Sequence, residues 1–290
     1  MQNVRVIASE SPHKAEQAPF FEIQNELFKS TRIPKIIVAA DGSVLAFAPS
    51  GKILRRSEDQ GKTWSPALEV GPDASGSAVV DETTGDVLVV NGRGTLYRSR
   101  DHGKTWIKET VAFKPNAAGH GIPENLPIDL NCSESGITLK GEKHKGRLLM
   151  PGRIQPPKGG NDQEYWPYNY NTSMYSDDHG CNAGLLRLPD DVTGGKDVLL
   201  FSTPDNPGAG DKNCRVRMTV WASFDGAKSW PIKRRVYEGP SAYSSLAADK
   251  NGMIYLLFEN GEKNCYERIS LARFNLNWLA GKQDSTQLHL

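Results

Sequence analysis

The chain has 290 residues, 38% hydrophobic and 24% charged, with 28 Gly and 18 Pro. That is a loop-rich globular profile, which excludes a disordered chain, a coiled coil and a collagen. With 35 basic and 34 acidic residues the formal net charge is +1, so no global field draws the chain to nucleic acid or an anionic membrane.

Residues 1–19 form an N-terminal arm that lacks the continuous apolar core of an export signal. The chain as written is therefore expected in the cytoplasm, or outside it if a longer precursor was trimmed. From residue 20 onward short apolar runs recur: KIIVAA (35–40), SVLAFA (43–48), GDVLVV (85–90), GRLLMP (146–151), DVLLFS (197–202), RMTVWA (217–222) and MIYLLFE (253–259). Turn signals such as ADG, PSG, TTG and KNG punctuate them, so each reads as a β-strand. None approaches the roughly 20 residues of a membrane-spanning helix. Helical patterning is confined to a short piece near LNWLAGK at the end. The four cysteines, Cys132, Cys181, Cys214 and Cys265, are far apart and include no CxxC pair. They read as buried thiols rather than a zinc site or a disulfide framework.

Four segments share the frame Ser-x-Asp-x-Gly-x-Thr-Trp: residues 57–64, 99–106, a truncated 176–180 and a degenerate 223–230. The frame suits a hairpin turn in which Asp binds backbone N–H groups, Gly supplies a positive φ and Trp packs the turn on its own sheet. Asp59 and Asp101 are 42 residues apart and Asp178 and Asp225 are 47 apart, the period of a four-stranded propeller blade. The interval from Asp101 to Asp178 is 77, a blade with large loops or insertions. The expected fold is all-β, a single propeller domain over residues 20–279 with a tail at 280–290.

These repeats resemble the Asp-boxes (BNR repeats) of sialidases, and other motifs follow in that family's order. STRIPKIIVAADG resembles its opening Arg-Ile-Pro segment, CRVRMTVWASFDG its penultimate blade, and GPSAYSSLAADKNGMIYLLFENG its closing blade. The resemblance implies a six-bladed type of propeller and hydrolysis of terminal sialic acid by a retaining exo-α-sialidase mechanism. It implies Arg32 and Arg215 as carboxylate-binding arginines, with Arg217 as the competitor of Arg215 on the same strand face. Tyr243 is implied as nucleophile and Glu259 as the residue holding the first arginine. Arginine forks suit the carboxylate of a sugar acid, and sialidases use a tyrosine nucleophile. The aromatic loop with Trp166 and Tyr168 is a candidate for stacking on sugar rings, or is pinned by its own aromatics. The chemistry calls for no metal and no cofactor. The implied partner is a glycan with a carboxylate sugar, bound by a monomer.

Two departures weigh against full activity. The family's acid/base aspartate sits in a loop after the first hairpin, where this chain has only the tight turn Pro49-Ser50-Gly51. After the truncated box the chain passes at once to CNAGLLRLP, without the segment that carries a second glutamate and another arginine. One blade is therefore shortened or lost. Two alternatives stay open: a non-catalytic propeller that binds acidic glycans, and a uronic-acid polysaccharide-active enzyme on the same fold.

Overall fold

The computed structural model of the protein describes residues 17–91, 94–111, 128–129, 135–140, 145–150, 153–154, 184–205 and 215–281. After β1 (Phe21–Lys29) comes an antiparallel sheet of β2 (Lys35–Val38), β3 (Val44–Ala48), β4 (Ile53–Ser57) and β5 (Leu68–Glu69). A second sheet of the same form contains β6 (Ser77–Val80), β7 (Val87–Val90), β8 (Thr95–Ser99) and β9 (Ile107–Thr110). Two strand pairs follow, β10 (Ile128–Asp129) with β13 (Arg153–Ile154) and β11 (Ile137–Thr138) with β12 (Leu148–Leu149). The remaining strands are β14 (Gly184–Arg187), β15 (Leu199–Pro204), β16 (Val216–Ser223), β17 (Ile232–Ala248), β18 (Ile254–Asn260) and β19 (Arg268–Phe274). They form one seven-stranded sheet in which β1 pairs with β19. Among the described residues there are two one-turn helices, α1 (Asp190–Thr193) and α2 (Leu276–Leu279). The second lies where LNWLAGK placed it. Among the described residues no helix is long and apolar enough to cross a membrane.

The seven-stranded sheet is two four-stranded units sharing one strand. Residues 232–240 of β17 pair with β16, and residues 241–248 pair with β18. Each unit then matches the first two sheets, the last of them taking β1 from the other end of the chain as its fourth strand. Inner strands are buried on both faces, β3 throughout its length, and so read as unbroken apolar runs rather than alternating ones. A cavity of about 160 Å³ lies between β2, β6, β11, β14 and β17, with Ile36, Val80, Thr138, Leu185 and Leu246 on its wall. Neighbouring units are stitched there by polar contacts. Ile36 N–H donates to Ser245 Oγ at 3.2 Å, Gly136 N–H to the Ala78 carbonyl at 2.7 Å, and Ser135 Oγ–H to the Ile36 carbonyl at 3.1 Å.

Three of the four repeat turns fall within the described residues; the one containing Asp178 lies outside them. In the first, Ser57 Oγ–H donates to Asp59 at 2.8 Å, and Thr63 donates to it from N–H at 2.9 Å and from its hydroxyl at 2.6 Å. Asp101 and Asp225 repeat the pattern with Ser99 and Thr105, and with Ser223 and Ser229. Burial is the largest single effect on the Asp101 carboxyl and pushes it up, but the bonds from Thr105, Ser99 and the Lys104 N–H together outweigh it and hold the carboxyl at about 2. The glycines take positive φ, 80° at Gly61 and 89° at Gly103.

The tryptophans depart from expectation. Trp106 packs edge-on against Phe47 of the preceding sheet, centroids 6.2 Å apart, and Trp64 Nε1–H donates to Gln24 of β1 at 3.0 Å. Only Trp230 stays with its own sheet, 5.9 Å from Phe201. Two of the three described turns are therefore wedges between sheets. Trp64 packs on the apolar cluster shared by β1, the first sheet and β18–β19, and Trp106 on the cluster shared by the first two sheets.

Candidate functional site

Arg32, Tyr243, Glu259 and Arg215 are brought together at the open ends of the inner strands. Arg32 sits in the segment joining β1 to β2, Tyr243 near the partner change in β17, Glu259 near the end of β18, and Arg215 just ahead of β16. Glu259 is fully buried and holds three of the pieces in register. Its Oε1 accepts the Ile33 N–H at 2.8 Å and lies 3.3 Å from Arg32 Nε. Its Oε2 accepts the Tyr243 N–H at 3.3 Å. Ile33 has φ 59°, a conformation unfavourable for a β-branched residue, and the bond to Glu259 lies at that strained peptide.

Both guanidinium groups lie by the same ring. Arg32 Cζ is 5.0 Å and Arg215 Cζ 5.3 Å from the centroid of Tyr243. Burial opposes the charge on Arg32, but the fields of Glu259 and of the flanking tyrosines together hold it above its ordinary range. Burial likewise pushes the Glu259 carboxyl up, against the Ile33 N–H and Arg32, which stabilise its anion. The Arg32 side chain remains 43% exposed, so its outer edge is open to a ligand.

Strand alternation put Arg215 and Arg217 on one face. The structure instead has φ 64° at Arg217, where the β16–β17 register shifts between Val216 and Met218. Alternation is interrupted there, and it is Arg215 that reaches Tyr243. The turn at Pro49-Ser50-Gly51 is as tight as its sequence reads. Lys52 N–H donates to the Pro49 carbonyl at 2.9 Å, and Ser50 N–H donates to the Ile33 carbonyl at 3.1 Å. No carboxylate stands in that turn, and its backbone is spent supporting the Arg32 segment.

One residue was missed by the sequence reading. Tyr266, in the loop between β18 and β19, has its ring centroid 4.0 Å from Arg32 Cζ. Burial and then its bond to the Cys265 thiol push the phenol up, while Arg215 and Arg32 pull it back. Its one sequence signal is a lone aromatic in the polar stretch GEKNCYE. Cys265 is a buried free thiol; the other three cysteines lie outside the described residues, as do Trp166 and Tyr168. Among the described residues no three His, Cys, Asp or Glu side chains converge as a metal would require.

The arrangement as it stands can bind a carboxylate against two cations beside a phenol. No protein-family model matches the chain. It is 27% identical over 250 residues to a sialidase of Micromonospora viridifaciens, an alignment covering 78% of this chain and 35% of the other. Sialidase-3 of Mus musculus is 26% identical over 266 residues, covering 83% and 54%. The chain thus spans about a third and about half the length of these curated relatives. Among solved structures, the Hadza microbial sialidase Hz136 superposes with a TM-score of 0.60 at 18% identity, covering 86% of this chain and 66% of the other.

Proposed function

We propose that this chain, sialidase-like in sequence and fold, is an exo-α-sialidase-type glycoside hydrolase that takes a terminal sialic acid on a glycan and has a weakened acid/base step. The observation that carries this is the convergence of Arg32 and Arg215 on the Tyr243 ring with buried Glu259 behind. In this reading the two arginines clamp the sugar carboxylate. Tyr243 Oη bonds to the anomeric carbon as the bond to the aglycone oxygen breaks, the phenol giving its proton to solvent water and the aglycone oxygen taking one from solvent. Water then adds to the anomeric carbon, the Tyr243–sugar bond breaks, and the phenol oxygen recovers a proton. Glu259 fixes the first arginine and the backbone of the nucleophile. We further propose one propeller domain over residues 20–279, its repeat turns being Asp-boxes. Five strands on one central cavity favour five blades, one fewer than the six-bladed type.

The bare turn at Pro49–Lys52 supports a second reading, an acidic-glycan-binding protein without turnover. An aryl sialoside separates the two, because its good leaving group asks little of a general acid. The hydrolase reading expects hydrolysis that Tyr243→Phe lowers by about 1,000-fold or more, since groups of a catalytic unit fail together. Unchanged hydrolysis in that variant removes Tyr243 from the reaction. Absence of hydrolysis, with sialic acid still bound, selects the binding reading.

A further inference from the structure

Tyr266 has no part in the reaction above, yet its ring lies nearer to Arg32 Cζ than that of Tyr243 does, 4.0 Å against 5.0 Å. The loop that carries it is built around one carboxylate. Glu267 accepts backbone N–H bonds from Glu262 at 3.0 Å, Lys263 at 2.9 Å and Asn264 at 3.0 Å. Cys265 is buried beside Tyr266 and the Tyr266 N–H donates to Asn264 Oδ1 at 2.8 Å, so the backbone that carries the ring is held within its own loop, while Tyr266 itself is 39% exposed.

We infer that Tyr266 is a positioning residue that holds the Arg32 guanidinium ready for a ligand carboxylate, an inference that rests on the carboxylate-binding role proposed above for Arg32. A guanidinium takes a carboxylate bidentately along one of its edges. Glu259 sits at Nε, 3.3 Å away, so the Nη1–Nη2 edge is the one left for a ligand. An arginine 43% exposed at its side chain would otherwise sample several rotamers, and ordering it would weaken binding. The neutral phenol ring stacked near the cation restricts that freedom through its quadrupole without neutralising the charge. Tyr243 alone cannot do this if it is also to move onto the sugar.

The test uses the full chain and two readouts. The first is the rate at which phenylglyoxal modifies Arg32, followed by mass spectrometry. Tyr266→Ala is expected to speed that labelling about two- to fivefold, the value of one cation–π contact at a half-open site. Tyr266→Phe, which keeps the ring, is expected to restore the wild-type rate. Should Tyr266→Ala fail to fold, Tyr266→Leu keeps apolar bulk without the ring and serves the same comparison. Labelling of Arg32 at the wild-type rate in the ringless variant overturns the inference. The second readout is titration with N-acetylneuraminic acid, whose affinity is expected to fall by the same factor in Tyr266→Ala and recover in Tyr266→Phe. Faster labelling with unchanged affinity overturns the link to the carboxylate. A wild type that does not bind the sugar at all counts against the proposed function alone, and the labelling ratio still decides whether Tyr266 holds Arg32.

Discussion

Glu259 is fully buried, accepts two backbone N–H groups and faces a guanidinium. Folding raises its carboxyl above the ordinary 4.5, with burial as the chief cause. The folded state therefore binds that proton more tightly than the unfolded chain does. Stability from this group is complete at low pH and is lost as pH climbs from the unfolded value through the higher folded one. Glu259→Gln lacks the titration. Measured by urea midpoints at pH 4, 5, 6 and 7, the stability of the variant relative to wild type should rise across the window above 4.5. A flat or falling difference would mean that Arg32 and the two N–H donors hold Glu259 ionised at low pH after all. Arg32, Tyr243 and Glu259 were singled out by the motifs that resemble those of sialidases, and the structure brings these side chains together. Choosing Arg215 over Arg217 was not settled by alternation, since a single positive φ in β16 resets it. Tyr266 carried only the signal of a lone aromatic in a polar stretch; the loop that brings it to the site folds around Glu267.

Each four-stranded sheet depends on sharp entries into its inner strand, and Gly76 is the sharpest. It precedes β6 with φ 101°, and a Cβ there would lie 1.9 Å from the Val90 carbonyl oxygen. Gly42, in the β2–β3 turn, has φ 87° but open space around it. Gly42→Ala therefore isolates the conformational cost, about 1 kcal/mol. Gly76→Ala adds a backbone collision and should cost about 3 kcal/mol or more. Equal losses in urea unfolding would show that β6 and β7 can separate freely, contrary to their burial. At this scale the repeat turns and their strands could be read directly, because Ser, Asp, Gly and Thr each supply a local bond or dihedral. Two features could not. In β1 only Leu27 and Phe28 are buried, so FEIQNELFK carries almost no period-two signal. The change of partner within β17 is marked by Gly239-Pro240 only in retrospect, as a continuous strand offers no local cue that its two halves serve different sheets.

One apolar core joins the two ends of the chain. Leu27 and Phe28 of β1 pack with Ile36, Val44 and Ala46 of the first sheet and with Tyr255, Leu257, Ile269 and Leu271 of β18 and β19. β1 hydrogen-bonds along β19, with Phe28 opposite Ile269, and Trp64 of the first repeat turn reaches back to Gln24. β1 thus acts as a clasp between the first unit and the last, and the strand bearing Glu259 lies within the clasped sheet. Long-range pairing of this kind is expected to couple the first and last sheets on unfolding, which contacts between sequence neighbours alone would not do. Phe28 is 8% exposed, and Phe28→Ala should cost about 3 kcal/mol, the transfer and cavity terms together. Because the lost contacts join the first sheet to the last strands, that cost should fall on both together. Tryptophan emission and far-UV circular dichroism should shift to lower urea together and remain a single transition. If the sheets held independently, the same substitution would split the curve, with the closing sheet melting first and the sheets of β2–β5 and β6–β9 later.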